Sequence, residues 1–338
     1  MTTTTLTRPD ARPWTPAGAH GYGHQILDDA TRREFLAGLA AAGLLAACGD
    51  GTGNDEAAGD RDGSYPRTVS HVRGELTIPA RPERVVCLEN DAIADYVFAL
   101  GVEPVASPAA YDAGGAPNPW TPWPDSVQVL ASGQKTNVEL IASLEPDLIV
   151  LNAARYDDDL GDKLRGLAPV LPVETFGPWR EPLRDVAEAL ARETEAEAVI
   201  ADVDAQVSTT ADKVRARAGD RTLAVIQADG GYFGYGTGEE GYLYPYGFVA
   251  PTTFEGVDFL EISAEQMEMA DAHVIAVGGA ETQALLAEPL FEQLPAARAG
   301  RVVELTGPEL FSLYVGMART PWAVANVVPK LLAPFEDS

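Results

Sequence analysis

The sequence predicts an α/β protein made of two lobes, each built on a mainly parallel sheet, with a long α-helix joining them. Two observations predict this class. Short apolar runs typical of buried strands fall into two sets along the chain, and helical stretches separate the runs within each set, as in βαβ units. A long helical block lies between the two sets. The chain of 338 residues is long enough for two domains of ordinary size.

The predicted strands are short runs dominated by Val, Ile, Leu and Ala. Those of the first set are Arg84–Leu88, Val102–Ala106, Leu148–Leu151 and Val170–Val173. Those of the second set are Thr222–Gln227, His273–Val277 and Arg301–Leu305. The helical stretches between them favour Rossmann-like lobes whose strands run parallel.

The helical block consists of two predicted helices. The first shows the i, i+3, i+4, i+7 spacing of one helix face at Leu183, Val186, Ala187 and Leu190. The second, over residues 194–217, begins at the N-cap candidate Thr194 and ends before Gly219. Its apolar stripe consists of Ile200, Val203, Val207, Ala211 and Val214. It spans about 36 Å, enough to reach from one lobe to the next.

The N-terminal segment predicts export and lipid attachment. Arg32-Arg33 precedes an apolar run, Phe35–Ala47, that is shorter than the about 20 residues of a membrane-spanning helix. The pair resembles a twin-arginine signal, and Leu45-Ala46-Ala47-Cys48 resembles a lipoprotein cleavage box, in which Cys48 receives the lipid. The alternative is an Ala-rich core helix ending in a stray cysteine. The polar stretch Gly49–Gly63 disfavours it. The long leader before the arginines also leaves a later start codon open.

Charge and composition exclude several classes of function. The chain has 51 acidic residues against 24 Lys and Arg, a net charge of −27, which repels nucleic acid. Such a surface could attract a cationic ligand, but acidic composition is more often a solubility adaptation. Of the four histidines, only His71 and His273 follow Cys48, so no multi-histidine metal site is expected. Cys87, within an apolar run, is expected to be a small core residue.

Motifs of catalysis are not found in the sequence. There is no G-x-S-x-G elbow, and neither His71 nor His273 belongs to an H-E-x-x-H motif. The segment Gly236–Gly241 satisfies G-x-G-x-x-G, but Glu239 and Glu240 lie inside it and no helix follows, so it is expected to be a loop. No enzymatic activity is expected, although an enzyme using paired carboxylates alone stays open.

Segments along residues 65–335 resemble the iron–siderophore substrate-binding proteins of ABC importers. This family of helix-linked periplasmic binding proteins also includes vitamin B12 and haem receptors. The resemblance rests on the order and spacing of several segments rather than on one motif. These segments are Val69–Ile78, Pro82–Val86, Leu100–Val105, Asn137–Ile141, Leu144–Val150, Leu167–Val170, Pro289–Phe291, Leu294–Ala296 and Gly300–Val302.

The resemblance implies an extracytoplasmic receptor that captures a ferric siderophore and delivers it to an ABC permease. It implies a monomer anchored to the outer face of the cell membrane through Cys48. No cofactor is expected, since ferric iron would arrive only within the siderophore. Alternatives are a haem or corrinoid receptor of the same fold, or a secreted lipoprotein hydrolase. The expected segments are a signal peptide (1–47), a tether (48–64), an N-terminal lobe (65–176), a helical connection (177–218) and a C-terminal lobe (219–338).

The resemblance places the ligand in a cleft between the lobes, at the carboxyl ends of the strands. Arg155 and Tyr156 directly follow a predicted strand and suit the oxygens and the apolar body of a siderophore. The Gly-rich segment of residues 230–246 is unusually aromatic and is expected to form a cleft wall, although some of its tyrosines must anchor it to the core. The further ligand candidates are Tyr232, Phe233, Tyr235, Tyr242 and Arg319, with Trp179, Tyr314, Tyr111 and Trp120 as side chains for which core packing is the alternative.

The resemblance also implies one acidic residue on each lobe that engages arginines of the permease. Position relative to Leu100-Gly101 assigns this role to Asp95 in the first lobe. Glu265, in Ser263-Ala264-Glu265-Gln266, is the counterpart in the second lobe. From the residues alone, either carboxylate would be taken for an ordinary solvated surface charge.

Overall fold

The structure is a computed structural model that describes residues 64–88, 91–108, 119–121, 123–131, 136–155, 158–175, 179–236, 244–257, 259–313 and 319–335. The predicted signal peptide, with Cys48, and nearly all of the predicted tether lie outside these residues. Within them, no helix is long and apolar enough to cross a membrane.

The first lobe alternates strands and helices as the sequence predicts. Its strands are β1 (Arg67–His71), β2 (Gly74–Ile78), β3 (Val85–Cys87), β4 (Ala106–Pro108), β5 (Gln128–Leu130), β6 (Leu148–Asn152) and β7 (Val170–Val173). Its helices are α1 (Asp91–Ala99), α2 (Val138–Ser143) and α3 (Asp158–Arg165). Strands β3 to β7 form a parallel sheet in the order β5-β4-β3-β6-β7, while β1 and β2 pair as an antiparallel hairpin.

The second lobe repeats this strand order. Its strands are β8 (Leu223–Ala228), β9 (Tyr232–Tyr235), β10 (Phe259–Ile262), β11 (Val274–Gly278) and β12 (Val302–Leu305), in the order β10-β9-β8-β11-β12. Strands β8, β11 and β12 are parallel, whereas β9 and β10 are antiparallel to their neighbours. Its helices are α6 (Thr282–Leu286), α7 (Pro295–Arg298), α8 (Gly307–Ser312), α9 (Arg319–Asn326) and α10 (Val328–Leu332), numbered after the two connecting helices.

Two helices connect the lobes, α4 (Arg180–Leu190) and α5 (Glu193–Ala218). The N-terminal half of α5 buries Val199 and Val203 in the core of the first lobe, and its C-terminal end buries Val214 and Ala218 in a core of the second. Val207, between them, packs against both cores. The helix therefore joins the two lobes along one continuous apolar stripe, as the sequence predicts.

Some predicted boundaries are wrong. Helix α5 begins at Glu193 with Arg192 at the cap position and no side-chain capping bond, so Thr194 is not the N-cap. The strand expected at Val102–Ala106 forms instead at Ala106–Pro108, where it pairs with β3 and β5. The aromatic segment expected to be a loop contains β9, and the edge strands β5 and β10 were not predicted.

Candidate functional site

Segments that follow the carboxyl ends of parallel strands in the two lobes meet at a pair of tryptophans. Trp120 belongs to the segment that follows the carboxyl end of β4 in the first lobe, while Trp322 lies on α9, beyond the carboxyl end of β12 in the second. The two indole rings meet at 5.8 Å between centroids with their planes at 64°. Ligands of open α/β sheets bind outside the carboxyl ends of the strands, so this meeting point marks the candidate site.

Arg319 approaches Trp120 from the same helix as Trp322. Its guanidinium carbon lies 5.7 Å from the centroid of the Trp120 ring, within the range of a cation–π contact. No described residue forms an ion pair with Arg319 at the distances found elsewhere in the structure. The guanidinium therefore lies where the lobes meet and keeps its hydrogen-bond donors for other acceptors.

The charge of Arg319 acts on the pKa of one tyrosine in each lobe, Tyr246 and Tyr96. Burial raises the pKa of Tyr246 to about 12, while its hydrogen bond to Thr320 and the charge of Arg319 act in the opposite direction. Burial likewise raises the pKa of Tyr96 in the first lobe, and Arg319 again lowers it. Both phenols are therefore neutral at physiological pH and leave the charge of Arg319 uncompensated by phenolate.

Asp95 is buried and not on the surface, where a docking residue for the permease would have to lie. Its carboxylate is 3% exposed and accepts hydrogen bonds from Trp120 Nε1, at 3.3 Å, and from the hydroxyl of Thr121. A carboxylate enclosed in this way offers no surface to a permease, so the prediction that Asp95 is a docking residue is wrong. It instead fixes the segment that carries Trp120 onto helix α1.

The structure contradicts two of the predicted ligand contacts. Tyr235 is 2% exposed, and its hydroxyl donates to Gln227 Oε1 at 2.9 Å, because alternation along β9 turns it towards the core. Trp179 is 7% exposed within the first-lobe core, where it precedes α4. Tyr244 and Tyr246 also serve as anchors: the Tyr244 hydroxyl donates to the backbone oxygens of Leu223 and Tyr235, at 3.2 and 3.1 Å.

Tyr232 and Phe233 keep part of their side chains accessible on β9. The Tyr232 hydroxyl donates to Glu288 Oε1 at 3.1 Å, and burial together with this carboxylate raises the pKa of the phenol. Arg155 ends the single 3-10 turn that directly follows β6, at the predicted edge of the sheet. Tyr111, Tyr156, Tyr242, Tyr314 and Cys48 lie outside the described residues, so their predicted roles stay predictions.

A hydrogen-bonded network lies at the carboxyl end of β8. Asp229 accepts from the backbone N–H of Ala280 at 2.6 Å and from Gln227 Nε2 at 2.9 Å, and Gln227 in turn accepts from Tyr235. Gly279 adopts φ +111° there, and a Cβ would lie 2.5 Å from the Ala228 oxygen. This network ties the ends of β8 and β11 together and leaves a rigid edge on the second lobe.

Glu265 lies on the surface at the start of a 3-10 helix, Ala264–Ala270, as the sequence predicts for an accessible carboxylate. Hydrogen bonds from the backbone N–H of Glu265 and then from the Ser263 side chain lower the pKa of this carboxyl, which is therefore ionised at neutral pH. Its availability to a permease arginine stays a prediction.

Glu139 occupies a position in the first lobe that corresponds to that of Glu265 in the second, and the sequence reasoning did not single it out. It is exposed in the first turn of α2, two residues after the cap Asn137, just as Glu265 follows Ser263. Leu148 is the first residue of β6, and Val274 is the first residue of β11, the corresponding strand of the second lobe. The sequence separation from Glu139 to Leu148 equals the separation from Glu265 to Val274. Glu139 could have been identified from the sequence, because both lobes repeat the same order of a helix-capping residue, a glutamate two residues later and then a buried strand. Trp322 was not among the sequence candidates, because its contact with Trp120 depends on how the two lobes meet.

No group of three or more His, Cys, Asp or Glu side chains suited to a metal ion occurs among the residues that the structure describes. Cys87 is buried as expected, and burial raises the pKa of its thiol.

Comparisons with curated proteins find relatives among the binding proteins of Bacillus subtilis (strain 168). The "Probable siderophore-binding lipoprotein YfiY" of Bacillus subtilis (strain 168) is 34% identical over 199 residues, which cover 56% of this chain and 56% of YfiY. The iron(3+)-hydroxamate-binding protein FhuD of the same organism is 29% identical over 188 residues, 55% of this chain and 57% of FhuD. The alignments thus span little more than half the length of these relatives.

Solved structures share the fold over nearly their whole length. SirA of Staphylococcus aureus, complexed with staphyloferrin B, superposes with a TM-score of 0.63 at 22% identity, covering 78% of this chain and 98% of SirA. PiaA of Streptococcus pneumoniae, in complex with ferrichrome, gives a TM-score of 0.61 at 20% identity, covering 80% and 99%. The family described as periplasmic binding protein matches residues 85–308. This match covers most of both lobes and the helix between them, and the chain therefore belongs to the periplasmic binding protein family.

Proposed function

We propose that this chain is an extracytoplasmic receptor that binds a ferric siderophore between its lobes and delivers it to an ABC permease. The observation that carries the proposal is the meeting of Trp120 with Arg319 and Trp322 across the lobes, at 5.7 and 5.8 Å. Indole faces cover the apolar body of a chelate, and a guanidinium binds the oxygens around its iron. Such an arrangement binds and orients a ligand, and catalysis is no part of the proposal.

The names of the relatives support this ligand class. YfiY is named for siderophore binding and FhuD for iron(3+)-hydroxamate binding. The solved complexes of SirA and PiaA carry staphyloferrin B and ferrichrome. In the proposed function, iron is cargo within the siderophore and not a resident metal.

Docking and anchoring complete the proposed function. Glu139 and Glu265 occupy corresponding exposed positions on the two lobes, so they are the proposed pair of carboxylates for permease arginines. Cys48 is the proposed lipid attachment site, which would keep a monomeric receptor at the outer face of the cell membrane. Replacing Cys48 by Ser should move the protein from the membrane fraction to the soluble extracellular fraction. Unchanged membrane retention would contradict the anchor.

The test of the ligand is an equilibrium titration of the purified protein with ferric siderophores, the same siderophores without iron, haem and cobalamin. We expect saturable quenching of tryptophan fluorescence by at least one ferric siderophore. Trp120 and Trp322 lie at the lobe junction, and Trp179 lies in the core of the first lobe. Quenching by haem or cobalamin alone would replace the proposed ligand by that alternative. Silence across the panel would contradict the receptor function.

A further inference from the structure

Helix α5 contains one stretch that neither lobe encloses. Its buried residues stop at Val203, in the core of the first lobe, and resume at Thr210, on the side of the second. Residues 205–209, between these points, comprise two half-buried side chains, Gln206 and Val207, and three exposed ones. At 3.6 residues per turn, this bridging segment completes more than one full turn, so the helix has no buried face there.

The first lobe holds α5 up to Asp204. Arg184 of α4 pairs with Glu197 at 2.7 Å, and Arg180 of the same helix pairs with Asp204. These ion pairs are exposed, and each adds little stability on its own. Together with the buried Val203, however, they fix the N-terminal half of α5 against α4 and the first-lobe core. This half of the helix therefore moves with the first lobe.

The second lobe holds α5 from Ala211 onwards. Gly247, which follows the 3-10 turn Tyr244–Tyr246, approaches the helix so closely that a Cβ there would lie 2.5 Å from the backbone oxygen of Ala211. Val214, one turn further on, is buried in the core of the second lobe. A contact between two backbones cannot be relieved by rotating a side chain, so this part of the helix moves with the second lobe.

The sequence of the bridging segment weakens the helix at the place where its support changes. Ser208 and Thr209 have a lower helix propensity than Ala, and both are exposed, so packing does not compensate. Most helical stability in proteins comes from tertiary packing, which in this segment depends chiefly on Val207 and its contacts with both cores. Segments with few buried contacts and exposed backbone hydrogen bonds open most readily.

We propose that residues 205–209 are the hinge about which the two lobes rotate, with Val207 as the pivot. A protein that admits a ligand between two lobes must change the angle between them, and a hinge is a short stretch that absorbs this change. Rotation at the hinge changes the separation of Trp120 and Trp322, since these rings belong to different lobes. The hinge is a property of the chain itself and does not depend on which ligand binds.

The test compares alanine-to-glycine changes at three exposed positions of the same helix. Ala205→Gly lies in the hinge, Ala201→Gly in the part held by the first lobe and Ala216→Gly in the part held by the second. Each change disfavours the local helix by about fivefold. The three variants therefore differ in where the helix is weakened and not in how much.

The distance between the lobes is measured by double electron–electron resonance. Spin labels are attached to cysteines that replace Glu139 in the first lobe and Glu268 in the second, both of which are exposed. The full chain carries Cys48→Ser, so that no label attaches there. Cys87 is buried, and burial raises the pKa of its thiol, so it stays unlabelled.

Ala205→Gly should broaden the distribution of label distances at least about twofold, whereas Ala201→Gly and Ala216→Gly should leave it as in the parent. Equal widths in all four proteins, or equal broadening by all three glycines, would overturn the hinge assignment. If Ala205→Gly does not fold, Ser208→Ala/Thr209→Ala supplies the test, because it raises helix propensity in the hinge and should narrow the distribution. An unchanged width in that double variant would then overturn the assignment.

Discussion

Trp120 of the first lobe packs edge-to-face with Trp322 of the second, with 5.8 Å between the ring centroids and an interplanar angle of 64°. Aromatic pairs in this arrangement contribute about 0.5–1.5 kcal/mol beyond the area that they bury. The contact joins the lobes by side chains in addition to helix α5. Two fluorescent rings and the Arg319 guanidinium lie together there, so the proposed site is open to direct measurement.

Asp95 should stabilise the first lobe through the Trp120 segment. Replacing Asp95 by Ala removes the acceptor of the Trp120 and Thr121 hydrogen bonds and leaves both donors buried, so the free energy of unfolding should fall by about 2–3 kcal/mol. Asp95→Asn keeps one acceptor oxygen and should lose less. Urea denaturation measures the difference, with the exposed Asp125→Asn as the control. Equal stabilities of Asp95→Ala and Asp125→Asn would show that the network contributes nothing.

Ionisation of Asp185 should lower the free energy of unfolding as the pH rises through the mildly acid range. Burial, followed by the charges of Glu181 and Glu188, raises the pKa of this carboxyl from 3.8 to about 6. Because the folded chain holds the proton more tightly than the unfolded chain, the stabilisation present below pH about 4 is lost between about 4 and 6.

Asp185→Asn removes this ionisation. The variant should be more stable than the parent at pH 7 by about 1 kcal/mol, a value reduced for the partial exposure of the group, and the gain should vanish near pH 4. Denaturation at several pH values measures both quantities. A gain that is the same at pH 4 and pH 7 would show that the effect is not ionisation of Asp185.

Glu139 and Glu265 should act in transport and not in ligand binding. Replacing both by Ala should leave the affinity for the ferric siderophore within about twofold, because both carboxylates are exposed and the contacts of Trp120 are made by Trp322, Arg319 and Asp95 instead. Uptake of radiolabelled iron by cells should fall at least about tenfold if the carboxylates pair with permease arginines. Glu268→Ala, an exposed residue of the same 3-10 helix as Glu265, is the matched control. Normal uptake by the double variant would remove the docking assignment.

The repeated alternation of apolar runs and helical stretches was sufficient to predict the two-lobe fold, because parallel strands buried on both faces have few alternatives. The stripe on α5 likewise predicted a helix from lobe to lobe, and Val207 contacts both cores as that stripe requires. Boundaries were less predictable: Ala106–Pro108 is a strand because β3 and β5 pair with it, which is tertiary information.

The candidate site was less predictable than the fold. Asp95 seemed a surface charge in the sequence because its partners, Trp120 and Thr121, belong to a distant segment. Tyr235 was grouped with its neighbours in an aromatic loop, but formation of β9 sends alternate side chains to opposite faces and buries it. Two of the described candidates, Trp120 and Arg319, lie against the opposite lobe through ring contacts, and those contacts depend on how the two lobes meet, which no local pattern records.

The measurement that tests the central claim most directly is a tryptophan-fluorescence titration of the Trp120→Phe/Trp322→Phe double variant with ferrichrome, beside the parent and Trp123→Phe. If the siderophore binds at the lobe junction, the parent and Trp123→Phe should show saturable quenching, and the double variant should lose more than about half of the amplitude and bind at least about tenfold more weakly. Quenching of the same amplitude and affinity in all three proteins would place the ligand elsewhere and contradict a binding site between Trp120 and Trp322.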